Sequence, residues 1–428
     1  MSYPVSSIQC LPSWFIGRRR SSQTAGIGLR RSRPGVTLVE MMVVIAVTLI
    51  LMLAVTQIFS WLGDSVHSGR SVIEQNAQLR ATAVRIQRDL DGLTVPTLPW
   101  TSPAAGLGYL EIIEGVQRDR DTAVSTATDT TIGDRDDFIA FTARSLGAPF
   151  VGRINGTLER RDGQLTIINP GTSSVIESSL AEIIYWTAEQ PVGNVNLYRR
   201  VLLIRPDIDV SLQAPASFFA DNDISAHQNG AATPYVTNSL ADLTMRENRF
   251  AHTISGFPFP VLATTLAAAP LALNRLGEDV LLAGIRAFDI RVYDPHAPIR
   301  SDGTVALVPT DPGWDQPATT VIGQGAYVDM NYADAAGLTL FSGPPADKSG
   351  LSTGLPTYDT WSFSYETNGE GTDGIDNDTA NGVDDSGERE TSPPYPGALR
   401  GLQIKLRVYD ATSRNVHQET VTANFIPE

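Results

Sequence analysis

The chain has 428 residues, with 32 Lys and Arg against 47 Asp and Glu for a formal charge of −15, and a single cysteine, Cys10. That length supports one large domain or two or three smaller ones with a real buried core, and 42% hydrophobic with 18% charged residues is the balance of a globular chain, not of a disordered or collagen-like one. The acidic excess argues against direct nucleic-acid binding through a basic face, and one cysteine excludes a disulfide framework or a thiolate metal cluster.

The charge is unevenly placed. Arg18, Arg19, Arg20, Arg30, Arg31 and Arg33 lie in the first 35 residues, which hold no acid; without these six the remainder has 26 basic and 47 acidic residues, net −21. Immediately after them, Met41 to Phe59 run for 19 residues without a charge. As a helix this run spans about 28 Å, close to the thickness of a bilayer's hydrocarbon core. A cleaved secretory signal has a shorter apolar region followed by a small-residue site, whereas here the small residue, Gly35, comes first. The positive-inside rule keeps residues 1–35 in the cytoplasm and sends the acidic bulk across. The expected topology is therefore a single membrane crossing with the acidic bulk outside the cytoplasm; the resemblance carried by the residues that follow implies the inner membrane and a periplasmic or extracellular head.

Glu40 is the exception within the apolar segment, and a carboxylate near the edge of a membrane helix is a functional candidate by default. Pro34-Gly35-Val36-Thr37-Leu38-Val39-Glu40 resembles the class III signal of type IV pilins and type II secretion pseudopilins: Gly, an apolar residue usually Phe or Met, Thr, Leu, Ile or Val, then Glu. The resemblance implies cleavage by a prepilin peptidase between Gly35 and Val36, and N-methylation of Val36. Glu40 then becomes the fifth residue of the mature chain. In that family this Glu meets the N-terminal amine of a neighbouring subunit, a sensible pairing because two charges unfavourable alone in lipid become tolerable together. The chain departs from the pattern in having Val36 where Phe or Met is usual, and in its long leader.

Beyond Leu62 no proline occurs until Pro96, and Leu79, Ala83, Ile86, Leu90 and Leu93 recur at helical spacing with Arg80, Arg85, Arg88 and Asp89 on other faces. This stripe predicts an amphipathic continuation that packs on a sheet, with Gly63 and Gly69 as the place for a bend. Ser71 to Leu93, with its Arg88-Asp89-Leu90, resembles the second half of the long helix in J-type minor pseudopilins and PilW-like minor pilins.

From about residue 96 the pattern becomes short apolar runs between turn signals. Strands are expected at Asp137–Arg144, Leu165–Ile168, Ala181–Thr187, Asn196–Ile204, Val280–Ile285, Ala287–Tyr293 and Gly401–Asp410, with turns at Asn155-Gly156, Asp162-Gly163 and Asn381-Gly382. The fold class is α+β: a long N-terminal transmembrane and amphipathic helix on an antiparallel, β-rich, pilin-like head with large loop insertions. The Tyr185-Trp186 strand followed by Leu197-Tyr198-Arg199 resembles a hairpin of J-type pseudopilins. FDIRVYD (Phe288 to Asp294) and IKLRVYD (Ile404 to Asp410) are expected to be neighbouring strands with Val292 and Val408 in corresponding places. Val210–Asn274 and His296–Leu355 read as loops forming a small second lobe.

Residues 370–390 carry eight acids in 21 positions. Several carboxylates with glycines between them are what an oxygen-only Ca²⁺ site requires, and Asp373, Asp376 and Asp378 can converge within one loop that Asp384 or Asp385 closes. The loop is not an EF-hand: counted from Asp376, the sixth position is Asn381 and no Glu occupies the twelfth. It is similar to the Asp-rich loops of thrombospondin type 3-like calcium repeats. Ca²⁺ is the expected ligand, tying the loop to the last strand; the competing expectation is a solvated acidic loop.

The histidines, His67, His227, His252, His296 and His417, show no metal spacing and are expected at the surface or in turns. No nucleophile elbow, phosphate-binding loop or dinucleotide fingerprint occurs, so no enzyme is expected. The expected organisation is a leader at 1–35, a spanning helix at 36–62, its amphipathic continuation at 63–95, and a head at 96–428. The expected role is a minor pilin or pseudopilin at or near the tip of a type II secretion pseudopilus or type IV pilus. Its partners are then prepilin peptidase, other pilin or pseudopilin subunits and an inner-membrane assembly platform. The alternatives are a membrane-anchored calcium-dependent binding or adhesion protein exported by the prepilin route and, third, an anchored hydrolase.

Overall fold

The apolar run and its continuation form one helix, α1, Leu38–Asp91, in a computed structural model that describes residues 35–117, 132–190, 193–230, 233–314, 316, 319–330, 332, 346–347, 355–385, 387–393, 395, 397–410 and 413–425. All of the expected leader, residues 1–35, except Gly35 lies outside the described residues. Gly63 and Gly69 sit within the unbroken helix, their roughly 1 kcal/mol helical penalty each being too small to interrupt it.

The chain divides into two units, one ending at Asp64 and one beginning at Ser65. In the first, apolar side chains from Val36 to Leu62 are exposed, and the helix is long and apolar enough to cross a membrane. In the second, the stripe read from the sequence is buried: Leu79, Ala83, Ile86 and Leu90 all enter the main core cluster, with Leu93 packed against it. α1 stops at Gly92, whose N–H donates to the Asp89 carbonyl at 3.2 Å. Glycine is required there because a Cβ would lie 2.4 Å from the Arg144 carbonyl oxygen.

The strands are β1 (Leu110–Ile113), β2 (Phe138–Arg144), β3 (Phe150–Arg161), β4 (Gln164–Ser178), β5 (Leu180–Glu189), β6 (Val195–Leu203), β7 (Ile208–Asp209), β8 (Ala226–Gln228) and β9 (Tyr235–Thr237), then β10 (Val280–Leu282), β11 (Ile285–Ser301), β12 (Ala306–Leu307), β13 (Thr320–Val328), β14 (Ala346–Asp347), β15 (Thr357–Asp359), β16 (Thr391–Ser392), β17 (Gly401–Asp410) and β18 (Asn415–Asn424). An antiparallel sheet runs β10-β6-β5-β2-β1-β15, and a second runs β12-β11-β17-β18 with β13 also on β11. The fold is α+β.

The first sheet is buried on both faces, and its strands alternate accordingly. Ile139, Phe141 and Ala143 of β2 and Ile183 and Tyr185 of β5 join the cluster containing the α1 stripe. Phe138 and Ala140, with Ile184, Trp186 and Tyr198, join a second cluster with Leu243, Phe250 and Ala251. Residues 210–274 are thus no separate lobe: apolar side chains spaced along an otherwise polar segment cover the sheet's second face.

Three other expectations are corrected. Asn155-Gly156 is not a turn but an irregularity inside β3, where Gly156 has φ 147° and a Cβ would meet the Ile168 carbonyl at 2.4 Å. β11 continues past His296 to Ser301 and pairs with β13, so part of His296–Leu355 is sheet. FDIRVYD and IKLRVYD are neighbours, as β11 and β17, but antiparallel: Val292 faces Leu402 and Val408 faces Ile285.

Two buried polar networks fix these layers. Asp89 of α1 is 3% exposed and receives Arg199 of β6 bidentately, Nε to Oδ2 at 2.6 Å and Nη2 to Oδ1 at 3.0 Å. The Tyr185 hydroxyl of β5 also donates to Asp89. Burial, and then the Asp89 charge, push the Tyr185 hydroxyl well above its usual pKa, which keeps the proton that it donates. On the opposite side of β1, Glu111 and Asp359 of β15 meet Arg246 and Arg249 at 2.7–3.1 Å. His252 Nε2 lies 2.9 Å from Glu111, so this histidine is buried in a charge cluster and not at the surface as its isolation in sequence suggests. Burial alone would raise the Glu111 pKa; Arg246, His252 and Arg249 hold it well below the usual range.

Asp89→Ala leaves Arg199 buried without its carboxylate and is expected to lower the stability of the detergent-solubilised chain by about 3–5 kcal/mol. Thermal melting checks this against the double variant Asp89→Leu with Arg199→Met. The double variant should recover most of the loss, because apolar replacement of a buried pair is close to neutral.

Candidate functional site

The apolar N-terminal helix begins with a cap. Thr37 precedes the first helical residue, and its Oγ1 accepts the Glu40 N–H at 3.2 Å while the Glu40 carboxylate accepts the Thr37 N–H at 3.4 Å. This reciprocal pair is a capping box, in which two amides with no partner inside the helix are satisfied by side chains. Glu40 thus has a structural task within its own chain, and its negative charge also complements the positive end of the helix. Gly35 and Val36 lie just before the cap in non-helical backbone, and Val36 is 65% exposed. Along the apolar helix the hydroxyls of Thr48 and Thr56 return to carbonyls one turn earlier, Thr48 to Val44 and Thr56 to Met52, both at 2.8 Å. That satisfies both hydroxyls within the helix, as a membrane-spanning segment requires.

The acidic loop is the second candidate, and its five sequence-identified carboxylates divide into two sets. Asp376 and Asp378 come together with Glu388, one oxygen of each lying within 4.8 Å of the others. Glu388 is 2% exposed, its Oε1 accepts the Asn377 and Asp378 N–H groups, and its Oε2 has no hydrogen-bond partner. Asp373, Asp384 and Asp385 instead accept backbone N–H groups that shape the loop: Ile375 on Asp373 at 2.8 Å, Gly374 on Asp384 at 3.0 Å and Gly387 on Asp385 at 2.5 Å. Asp373 also holds the Asn377 amide at 2.9 Å.

Glu388 escapes a search for closely spaced Asp and Gly because it is the thirteenth residue counted from Asp376, one place beyond the EF-hand position. Attention to a Glu at either of those places would have found it. The C-terminal end of the loop is tied to residues 366–367. Glu390 accepts the Thr367 N–H at 2.6 Å, and Glu366 accepts the Glu390 and Thr391 N–H groups at 2.9 and 3.1 Å. The Arg389 guanidinium covers Trp100 with 4.5 Å between it and the ring centroid. Oxygen-only donors with a buried, incompletely satisfied carboxylate suit a hard divalent cation.

Comparison with known proteins gives one match, the prokaryotic N-terminal methylation motif, over residues 30–56. No curated protein and no solved structure matches the chain. The matched segment contains Gly35, Val36, the Thr37–Glu40 capping box and most of the apolar run Met41–Phe59.

Proposed function

We propose, from the match of residues 30–56 to the prokaryotic N-terminal methylation motif, that the chain is a type IV prepilin-like protein processed by prepilin peptidase and assembled with other pilins, and that it is a minor pilin or pseudopilin, placed at or near the tip of a type II secretion pseudopilus or a type IV pilus. The observation that carries this reading is the motif itself, set on the capped start of a 54-residue helix. Cleavage falls between Gly35 and Val36, and Val36 becomes the N-methylated terminus. The apolar helix resides in the inner membrane until an assembly platform extracts it to pack with the helices of other subunits. The head lies outside the cytoplasm, and its size suits a terminal position better than repetition along a thin filament.

Glu40 then serves twice. In the unassembled subunit its carboxylate is occupied by the Thr37 amide, a weak bond at 3.4 Å that a charged amine displaces readily. In the filament it pairs with the terminal amine of a neighbour. Glu40→Gln preserves a capping acceptor but removes the charge. It is expected to be cleaved normally while its content in sheared filament fractions falls by about tenfold or more, the equivalent of losing roughly 1.4 kcal/mol in lipid. Wild-type incorporation of Glu40→Gln would remove this role.

A second reading, calcium-dependent binding or adhesion by the head, is favoured by Asp376, Asp378 and Glu388. Ca²⁺ held by this trio would rigidify residues 370–390 and so present a fixed surface. The wild-type chain is expected to show saturable calcium heat and calcium-dependent protection of the loop from protease. Glu388→Gln and Asp376→Asn should each weaken both, while Asp373→Asn, which alters a turn contact, should weaken them less. Equal behaviour with calcium and with chelator would remove the site. Dependence on other subunits for release from the membrane separates a filament component from an independent adhesin.

A further inference from the structure

The edge of the first sheet carries two acidic clusters with opposite solutions to the burial of charge. Glu111 and Asp359 are neutralised by the chain's own Arg246, Arg249 and His252. Three residues further along, Glu114 follows β1 directly and meets Asp134 and Asp137, which precede β2. One carboxylate oxygen from each of these three lies within 4.8 Å of the others, and the residues are 1%, 0% and 2% exposed. Among the described residues neither Glu114 nor Asp137 forms an ion pair with a cation. The nearby cations Arg291 and Lys405 pair instead with Asp289 and Asp329, at 3.0 to 3.4 Å.

The backbone satisfies only part of this charge. Asp137 accepts the Gly115 N–H at 3.0 Å and the Ile290 N–H at 2.6 Å, and Glu114 Oε2 accepts the Met330 N–H at 2.8 Å. Glu114 Oε1 is buried and has no hydrogen-bond partner. A buried carboxylate with one oxygen left without a donor, gathered with two more buried carboxylates, is a costly arrangement unless something positive completes it.

From this we infer a buried divalent-cation site, most suited to Ca²⁺, formed by Glu114, Asp134 and Asp137 and separate from the acidic loop. The donors are all carboxylate oxygens, which select a hard cation. Ca²⁺ at about 2.3–2.6 Å from each oxygen spans donor separations up to about 5 Å, and it accepts protein carboxylates as its main ligands, whereas Mg²⁺ is seldom held by an all-protein cage. Burial first, and then the neighbouring Asp137, Asp289, Asp136 and Asp329, push the Asp134 carboxyl up to about 12; burial and neighbouring acids also raise Glu114 and Asp137. The same field that resists a second and third negative charge draws in a positive one. Its position gives the ion a mechanical role. Asp137 also binds β11 through Ile290, and Glu114 binds the residues after β13 through Met330, so the cation ties the edge of the first sheet to the second.

The test uses the full chain in detergent with the loop disabled by Asp376→Asn, Asp378→Asn and Glu388→Gln, compared with the same chain carrying Glu114→Gln. After gel filtration in metal-free buffer, elemental analysis of the loop-disabled chain should find one calcium per chain. Addition of CaCl₂ after EDTA treatment should raise its Tm, on the order of 5 °C for an ion at a hundredfold excess over its Kd. Glu114→Gln should lose both the retained ion and the calcium-dependent Tm shift. Absence of calcium with no Tm response in the loop-disabled chain would overturn the inference, as would an undiminished response in Glu114→Gln. If Glu114→Gln does not fold, calcium content and Tm response of the loop-disabled chain alone decide. The acidic-loop reading is judged separately, by the difference between the loop-disabled and wild-type chains.

Discussion

A carboxylate on a helix and a guanidinium on a sheet hold the head in register. α1 reaches the first sheet with a narrow apolar stripe, Leu79, Ala83, Ile86 and Leu90, whose burial is favourable but directionless: a helix can slide or rotate on such a surface at little expense. Asp89 removes that freedom. Its two oxygens receive Arg199 in a bidentate fork while Tyr185 donates from the neighbouring strand, so one residue of the last helical turn is fixed to two strands. Gly92 then ends the helix against the Arg144 carbonyl, and the chain enters the head at a defined place.

The remainder of the head follows from a sheet with no solvent-facing side. β2 and β5 are apolar on both faces, α1 covers one, and the segment between Val210 and Asn274 covers the other. Where that segment crosses β1 and β15 it brings Arg246 and Arg249 to Glu111 and Asp359, so charge burial and the covering of the second face are one event. Beside them, Glu114 and Asp137 form no ion pair with a cation among the described residues, and Glu114 Oε1 accepts no hydrogen bond. The contrast between the two clusters, close together on one sheet edge, makes an external cation the natural completion of the second.

The sequence is most legible where a single period dominates. The uncharged run from Met41 to Phe59, the stripe at spacings of three and four, and the alternating Gly401–Asp410 strand are each local patterns, and each takes the structure expected of it. What stays hidden depends on partners distant in the chain. Arg88-Asp89-Leu90 and the Tyr185 and Arg199 strands are each visible as family-like features, but nothing local says that Asp89, Tyr185 and Arg199 meet. The covering segment reads as loop because its apolar residues are too sparse for a periodic signal, and Asn155-Gly156 reads as a turn although β3 passes through it. Within the acidic loop, composition identifies the region and two of the three converging acids; Glu388 lies one place beyond the EF-hand position and is brought to them by the backbone folding back so that it accepts the Asn377 and Asp378 N–H groups.

The capping box at Thr37 and Glu40 places an acid at the start of the helix, within the segment that matches the N-terminal methylation motif, and so bears on the proposed processing and assembly. The most direct measurement is N-terminal mass spectrometry of the protein recovered from membranes containing active prepilin peptidase, wild type beside Gly35→Ala. The account predicts a wild-type chain that begins at N-methylated Val36 and a variant that retains its leader. A wild-type chain still carrying residues ahead of Gly35 under those conditions would contradict it.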